Sequence, residues 1–305
     1  MEKMEGIITV VGFLGAGKTT LLKHLTTSAI AKGLQPYIIL NDYENAGLDA
    51  QQFLEQLNPS SVNALNGSCI CCSGIGELRN LINNVPKRPA GITLIEANGT
   101  SDACALMGFL GVGVDSRFLS PIQISVVDVM NWQRRGEHNV LEANQIQVSS
   151  LVVLTHLDEC SKERRLIVEN DIRRFNPLAK IITTDQINVT LLSKLEPSDN
   201  QAEKLDHLKA HWSSSSTDLP ILPNKESIFS ICNALPRSIL RVKGCARLKD
   251  DEGYTYFERT PDGKVSIRPF HGIPTTGAKL LTVGPGSDIK LLNSIIEHSL
   301  KGQEV

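Results

Sequence analysis

The chain has 305 residues and a formal net charge of −2, with 41% hydrophobic, 21% charged and 5% aromatic residues. This length corresponds to about two domains with cores of their own. The balanced charge argues against nucleic-acid binding by phosphate neutralisation, and the few aromatic residues argue against base stacking. Because no apolar run reaches the roughly 20 residues of a membrane span and no secretory pattern is present, we expect a cytoplasmic protein without nucleic-acid or membrane partners.

Short apolar segments alternate with helical patterns through the first two thirds of the chain. A helix is predicted at 17–31, and strands are predicted at Ile7–Val11, Tyr37–Leu40, Ile92–Ile95, Ile122–Val127, Leu151–Leu154 and Lys180–Thr183. This alternation predicts an α/β fold, with a mostly parallel sheet and helices on both faces. Functional residues of such a sheet lie beyond the carboxyl ends of its strands.

The remainder of the chain changes character. Residues 196–225 are polar, with a serine run and two prolines, and predict a linker between a domain at 1–195 and a smaller α+β domain at 226–305. For the smaller domain we predict strands at Ile228–Ile231, Gly244–Leu248, Tyr254–Glu258, Val265–Arg268 and Leu280–Val283, and helices at Arg237–Val242 and Asp288–Leu300.

Residues 12–19 match the phosphate-binding pattern G-x-x-x-x-G-K-[ST] between a predicted strand and a predicted helix. Glycines in this pattern let main-chain N–H groups approach the phosphates. Lys18 supplies a cation for the β- and γ-phosphates, and the Thr19 hydroxyl suits Mg²⁺. The sequence thus predicts a P-loop NTPase-type fold with nucleotide-binding residues Gly12, Gly15, Ala16, Gly17, Lys18, Thr19 and Thr20.

A second candidate phosphate contact follows the strand predicted at Ile92–Ile95. Glu96 ends this segment and Gly99 lies three residues later. This spacing suits a carboxylate at Mg²⁺ and a main-chain N–H at the γ-phosphate. We therefore expect Lys18, Thr19, Glu96 and Gly99 to act in catalysis, with Thr19 and Glu96 holding Mg²⁺.

Three of the seven cysteines form the cluster Cys69, Cys71 and Cys72. Closely spaced thiols in a reducing compartment favour a soft or borderline divalent metal, and Zn²⁺ fits best. Buried apolar cysteines and a redox role remain alternatives. The other cysteines (Cys104, Cys160, Cys232 and Cys245) are scattered, and we expect most of them in the core.

At these motifs the chain resembles the CobW-type P-loop GTPases, which act as metal chaperones and are relatives of HypB and UreG. The resemblance extends over nearly the whole chain. Residues 12–22 resemble the family P-loop, residues 41–49 its switch I, 69–72 its Cys-x-Cys-Cys, 96–99 its Glu-x-x-Gly, 127–128 a further strand end, and 239–244 the segment that opens its C-terminal domain.

The resemblance implies GTP hydrolysis coupled to the binding and transfer of a divalent metal. Because no residue stands out as an arginine finger or as a base that orients water, we expect slow intrinsic turnover. The cofactors implied are GTP or GDP, Mg²⁺ and Zn²⁺ or Co²⁺, with an unknown client metalloprotein and a homodimer as possible partners. Cys69, Cys71 and Cys72 would bind the transferred metal, and Asp42 and Glu44 of switch I would supply oxygen ligands near them.

Two departures from the family pattern concern the metal and the nucleobase. Asp42 stands where the family has glutamate, and this shorter side chain would reach a metal differently. The base-reading motif reads Thr155-His156-Leu157-Asp158, with histidine in place of lysine. Asp158 suits the N1–H and N2–H₂ donors of guanine, whereas His156 packs over the base more weakly than lysine. A loosened guanine preference is expected, so an ATP-dependent ligase or kinase-like enzyme and a thiol redox-responsive binding protein remain alternatives.

Overall fold

The computed structural model describes residues 4–42, 46–66, 75–111, 113–198, 214–249, 251–260, 263–270, 272–274, 277–284 and 286–301. The chain divides into two compact units, Met1–Asp42 with Phe53–His211 and Tyr43–Gln52 with Trp212–Val305. No helix within these described ranges combines the length and the hydropathy of a membrane span.

The first unit contains a seven-stranded parallel sheet. Its strands are β1 (Gly6–Val11), β2 (Gln35–Asp42), β3 (Val62–Asn66), β4 (Gly91–Glu96), β5 (Ile122–Asp128), β6 (Leu151–Thr155) and β7 (Lys180–Thr183). They are arranged in the order β3-β2-β4-β1-β5-β6-β7, and every neighbouring pair is parallel. The expected parallel sheet is confirmed, and β3 is a strand that the sequence patterns did not predict.

The α-helices of the described residues, in chain order, are α1 (Lys18–Ala31), α2 (Ala46–Gln51), α3 (Ile75–Asn84), α4 (Ala103–Leu110), α5 (Asn139–Gln147), α6 (Lys162–Phe175), α7 (Val189–Leu192), α8 (Lys225–Ala234) and α9 (Ile289–Lys301). In the first unit, Ile7 and Ile39 pack in one core cluster with residues of α3 and α4. Alternate strand residues such as Ile8 and Ile38 are also buried, and α1 packs against β1, β2 and β4. Burial of both faces explains the continuous apolar strands.

The second unit is the smaller α+β domain expected from the sequence. Its antiparallel strands β8 (Ser214–Asp218), β9 (Arg241–Arg247), β10 (Tyr254–Arg259), β11 (Val265–Phe270) and β12 (Lys279–Val283) lie in the order β11-β10-β9-β12-β8. Residues of α8 and α9 pack with one face of this sheet. Leu48 of α2 packs with Cys245, Tyr256 and Phe270. Although α2 follows β2 in the chain, it belongs to this second unit.

Two local predictions for this domain are wrong. The segment Ile228–Ile231 is part of helix α8, which begins after the capping residue Asn224. A short apolar run is ambiguous between strand and helix, and the three-residue spacing of these isoleucines suits one helix face. The predicted helix at Arg237–Val242 is replaced by a turn and the start of β9. Pairing of β9 with β10 and β12 outweighs the local helical pattern there.

The structure also differs from the predicted linker 196–225. Ser214–Asp218 form β8, which pairs with β12 at one edge of the antiparallel sheet. Helix α8 also begins at Lys225, the last residue assigned to the linker. A serine run has no strong local preference for a strand, so the main-chain hydrogen bonds to β12 decide its structure.

Candidate nucleotide-binding site

The sequence motifs of the first unit lie where the parallel strands end. The register pairs Val10 of β1 with Glu96 of β4, and Asp128 of β5 with Thr155 of β6. Because all the strands are parallel, their carboxyl ends share one edge of the sheet. Strand β1 lies between β4 and β5. The connection from β1 runs to β2 on one side of it, whereas the connection from β4 runs across to β5 on the other side, and a ligand crevice forms at such a switch point in open α/β sheets.

The P-loop joins β1 to α1 and closes around the ammonium group of Lys18. This side chain is 3% exposed, and its Nζ donates hydrogen bonds to Gly12 O at 2.9 Å and to Phe13 O at 3.3 Å. Gly17 precedes α1 with a φ of 94°, a left-handed conformation that glycine adopts without strain. The loop thus presents a cation beside a helix N-terminus, which favours an anionic ligand.

Of the other predicted P-loop residues, Gly15 and Ala16 lie in the loop and Thr20 is exposed on the first turn of α1. Thr19 on the same turn contacts the second motif, because its Oγ1 donates to Glu96 Oε1 at 2.9 Å. A hydroxyl and a buried carboxylate side by side are the oxygen donors that Mg²⁺ prefers. The donor set therefore fits Mg²⁺.

The loop after β4 packs directly against the P-loop. Ala97 N donates to Val10 O at 3.0 Å, which continues the pairing of β4 with β1. A Cβ atom added to Gly99 would lie 2.9 Å from the main-chain nitrogen of Leu14 and would overlap the Leu14 side chain. Only glycine permits this approach without displacement of the backbone. Gly99 and the P-loop are thus held as one packed surface.

The predicted base-reading segment lies on the other side of the P-loop. Thr155 Oγ1 donates to Ala16 O at 2.9 Å. His156 has a φ of 56°, and its Nε2 lies 3.3 Å from Gly15 O, where a protonated Nε2 donates a hydrogen bond. Asp158 is exposed. Thr155 and His156 therefore contact the P-loop, and the Asp158 carboxylate is accessible to a nucleobase.

A charged cluster beside the P-loop was not found from the sequence. Arg135 Cζ lies 4.3 Å from the centroid of the Phe13 ring, and the guanidinium binds Glu142 at 2.7 Å and Asp128 at 3.4 Å. Burial raises the pKa of Glu142, and the charge of Arg135 opposes this shift. The sequence signal for this cluster is a short run of polar residues in α5, namely Glu142, Asn144 and Gln145. The structure shows that all three are buried.

The side chains predicted to bind the transferred metal lie outside the part of the chain that the structure describes. Glu44, Cys69, Cys71 and Cys72 lie outside the described residues, as does the side chain of Asp42, the last residue of β2. Within the described ranges, no group of three or more His, Cys, Asp or Glu side chains is arranged to hold a metal ion.

The described cysteines behave as core residues, with one exception. Burial raises the pKa of Cys104, Cys232 and Cys245 to about 12, so these thiols stay protonated at neutral pH. Cys160 is half-buried. The expectation that most of the scattered cysteines lie in the core is confirmed for the three buried ones.

Comparison with known proteins gives consistent family matches. The family model "CobW/HypB/UreG, nucleotide-binding domain" matches residues 6–183. The zinc chaperone YjiA of Escherichia coli K12 is 25% identical over 193 residues, which cover 61% of this chain and 59% of YjiA. Zinc-regulated GTPase metalloprotein activator 1 of Dictyostelium discoideum is 23% identical over 228 residues, which cover 62% of this chain and 47% of that protein.

These alignments therefore span about half to three fifths of the curated relatives. A crystal structure of the Zn(II)-bound YjiA GTPase from E. coli aligns over 97% of this chain and 98% of that chain, with 16% identity and a TM-score of 0.42. The family match covers more than half of the 305 residues and includes the P-loop, Glu96, Gly99 and the segment 155–158. This chain belongs to the CobW/HypB/UreG family through its nucleotide-binding domain.

Proposed function

We propose that this protein is a GTPase that binds zinc and couples the state of its nucleotide to the release of the metal. The observation that carries the nucleotide half of the proposal is the contact between Thr19 and Glu96 beside the buried Lys18 ammonium. This arrangement brings phosphate-binding and Mg²⁺-binding groups from two separate motifs to one place. The names of the two curated relatives, a zinc chaperone and a zinc-regulated GTPase activator, support zinc as the metal and GTP as the nucleotide.

Each residue of the site has a role in this proposal. Lys18 and the P-loop amides bind the phosphates, Thr19 and Glu96 hold Mg²⁺, and the Gly99 N–H meets the γ-phosphate. When bound, Mg²⁺ neutralises charge that develops on the phosphate oxygens during hydrolysis. Arg135, which stacks on the P-loop residue Phe13, is paired with Glu142 and Asp128, so we assign it no role as an arginine finger and expect slow turnover.

The cysteine cluster supplies the zinc half of the proposal. Cys69 follows the end of β3 by three residues, and Asp42 ends the neighbouring strand β2. The order of the chain thus puts the thiols between switch I and the Glu96–Gly99 segment, both of which we assign to the nucleotide. Loss of the γ-phosphate then changes the ligand geometry and lowers the affinity for zinc.

Zinc titration of wild type and of Cys71→Ser, with a non-hydrolysable GTP analogue and then with GDP, tests the coupling. Removal of even a residue that only hydrogen-bonds a metal ligand costs about 10–100-fold in metal affinity, so loss of a direct thiolate ligand should cost about tenfold or more. We expect wild type to hold zinc more tightly with the GTP analogue than with GDP, and Cys71→Ser to lose that difference.

Cys160→Ser is the matched control, since it removes a half-buried thiol outside the cluster. It should bind zinc as wild type does. Equal zinc affinity with both nucleotides in wild type would refute the coupling, and unchanged zinc binding in Cys71→Ser would refute the assignment of the ligands.

The variant Asp158→Asn tests which nucleobase the site prefers. A carboxylate accepts hydrogen bonds from both N1–H and N2–H₂ of guanine, whereas an amide offers one acceptor and a donor that faces the guanine amino group. Xanthine has an oxygen at C2 and suits the amide. We expect about a tenfold or greater loss of GTP affinity and a gain for xanthosine triphosphate, because an unsatisfied polar group costs about 1–3 kcal/mol.

The control for this variant is Glu159→Gln, which alters the adjacent exposed carboxylate. It should leave the affinity for GTP unchanged in a nucleotide competition assay. Tighter binding of ATP than of GTP by wild type, with no effect of Asp158→Asn, would favour the ATP-dependent enzyme instead.

A further inference from the structure

Helix α5 forms hydrogen bonds to the segment that joins β4 to α4 through two buried side chains. Gln145 Nε2 donates to Gly99 O and to Ser101 O, both at 3.2 Å. Asn144 Oδ1 accepts from Ala103 N at 3.2 Å. Both side chains are at most 3% exposed. The nitrogen of a primary amide carries two hydrogens, so the two carbonyls satisfy both donors of Gln145.

The contacts of Gln145 complete a set of hydrogen bonds that determine the path of this loop. Ser101 N donates to Asn98 O at 3.0 Å, and Thr100 N donates to Asn98 Oδ1 at 3.1 Å. In a trans peptide the N–H points opposite to the carbonyl of the preceding residue, and none of the described peptide bonds is cis. The Gly99 N–H is therefore oriented away from the hydrogen bond that Asn98 O accepts.

The same helix also contacts the network on the P-loop. Glu142 accepts from Gln133 N at 2.8 Å and from Arg135 Nε at 2.7 Å, and Arg135 stacks on Phe13. Glu142 on one turn of α5 thus binds the arginine that stacks on the P-loop. Gln145 on the next turn binds the Gly99 loop. Helix α5 therefore contacts both the network on the P-loop and the Gly99 loop, in addition to the direct packing of Gly99 against Leu14.

We propose that Gln145 is a positioning residue that holds the Gly99 loop where its main-chain N–H meets the terminal phosphate of a nucleoside triphosphate. This inference rests on the proposed function, because it assumes that Gly99 contacts the γ-phosphate. Gln145 acts through the loop and touches no nucleotide. Its removal should lower the affinity for the triphosphate. The affinity for the diphosphate should stay unchanged, because the diphosphate lacks the phosphate that Gly99 meets.

The test compares the affinities for a non-hydrolysable GTP analogue and for GDP in Gln145→Met, which keeps the length of the side chain without its donors. Because the Gly99 N–H donates to a charged phosphate oxygen in this proposal, a misplaced loop should weaken binding of the GTP analogue about tenfold. The affinity for GDP should stay within about twofold of wild type. A merely structural role would lower both affinities together or neither.

Gln123→Met is the matched control. Gln123 is fully buried and donates to Gln145 O at 2.7 Å, but its amide bonds neither Gly99 nor Ser101. It should lower thermal stability as Gln145→Met does and leave the ratio of the two affinities as in wild type. If Gln145→Met does not fold, Gln145→Glu serves as the second variant, since a carboxylate in the same volume faces the two loop carbonyls and should shift the ratio in the same direction.

The outcomes separate the two proposals. If wild type binds neither guanine nucleotide, the proposed function and this inference both fail. If wild type binds both nucleotides and the folded Gln145 variants keep the wild-type ratio, or weaken both nucleotides equally, only the role of Gln145 is overturned. A selective loss of triphosphate binding supports it.

Discussion

Replacement of Lys18 by methionine should lower GTP hydrolysis about 10²–10³-fold, the usual cost of removing one preorganised group that stabilises developing charge. The Lys18 ammonium is buried and held by Gly12 O and Phe13 O, so it is already in place when a phosphate arrives. Methionine keeps an unbranched side chain that is one heavy atom shorter, and it removes the charge. Phosphate release under saturating and limiting GTP would measure the loss.

The control for this experiment is Lys32→Met, which removes an exposed lysine just after α1. It should hydrolyse GTP as wild type does. The stabilisation of wild type by GTP in a thermal melt should also be lost in Lys18→Met, because a ligand stabilises only the protein that binds it. Hydrolysis at the wild-type rate in folded Lys18→Met would place the nucleotide elsewhere.

Replacement of Lys243 by methionine should destabilise the second unit by about 3–5 kcal/mol, since it leaves the partner carboxylate buried without its counter-charge. Lys243 Nζ binds Asp49 Oδ2 at 2.6 Å, and the two residues are 2% and 3% exposed. Gln52 also donates to Asp49 at 3.0 Å, but a neutral amide does not compensate a charge. Urea denaturation would measure the change in the unfolding transition of this unit.

Two further variants make this prediction specific. The double variant Asp49→Leu with Lys243→Met removes both charges and should recover most of the lost stability, as replacement of a whole buried pair by apolar residues often does. Lys279→Met breaks a more exposed pair with Asp218 in the same sheet and should cost less than about 1 kcal/mol. A transition for Lys243→Met identical to that of wild type would show that the buried pair does not stabilise the unit.

The parts of the site that could be predicted are the motifs whose residues lie close together in the sequence. The P-loop pattern and the spacing of Glu96 to Gly99 need only a strand end and a following turn, and both lie at the predicted edge of the sheet. The strands β1, β2, β4, β5, β6 and β7 were predictable for a similar reason, because each is a buried apolar run between polar segments.

Other features depend on partners distant in the chain. The Gln145 contact with Gly99 joins residues 46 positions apart, and the Asp49–Lys243 pair joins residues 194 positions apart. No local pattern encodes such pairs, and a buried glutamine in a helix has the same propensity wherever its amide points. For the same reason β8 could not be predicted, since its serines pair with β12, which lies more than sixty residues later in the chain.

Local patterns of the chain were enough to predict the parallel nucleotide-binding sheet, the motif at its carboxyl edge and the presence of a second α+β domain. Apolar periodicity and glycine spacing act over a few residues and survive in any tertiary context that buries them. The packing of α2 with the second unit and the hydrogen bonds from α5 to the Gly99 loop emerge only from contacts between distant parts of the chain. Those outcomes follow from the burial of polar and charged groups, which must find partners wherever the fold brings them.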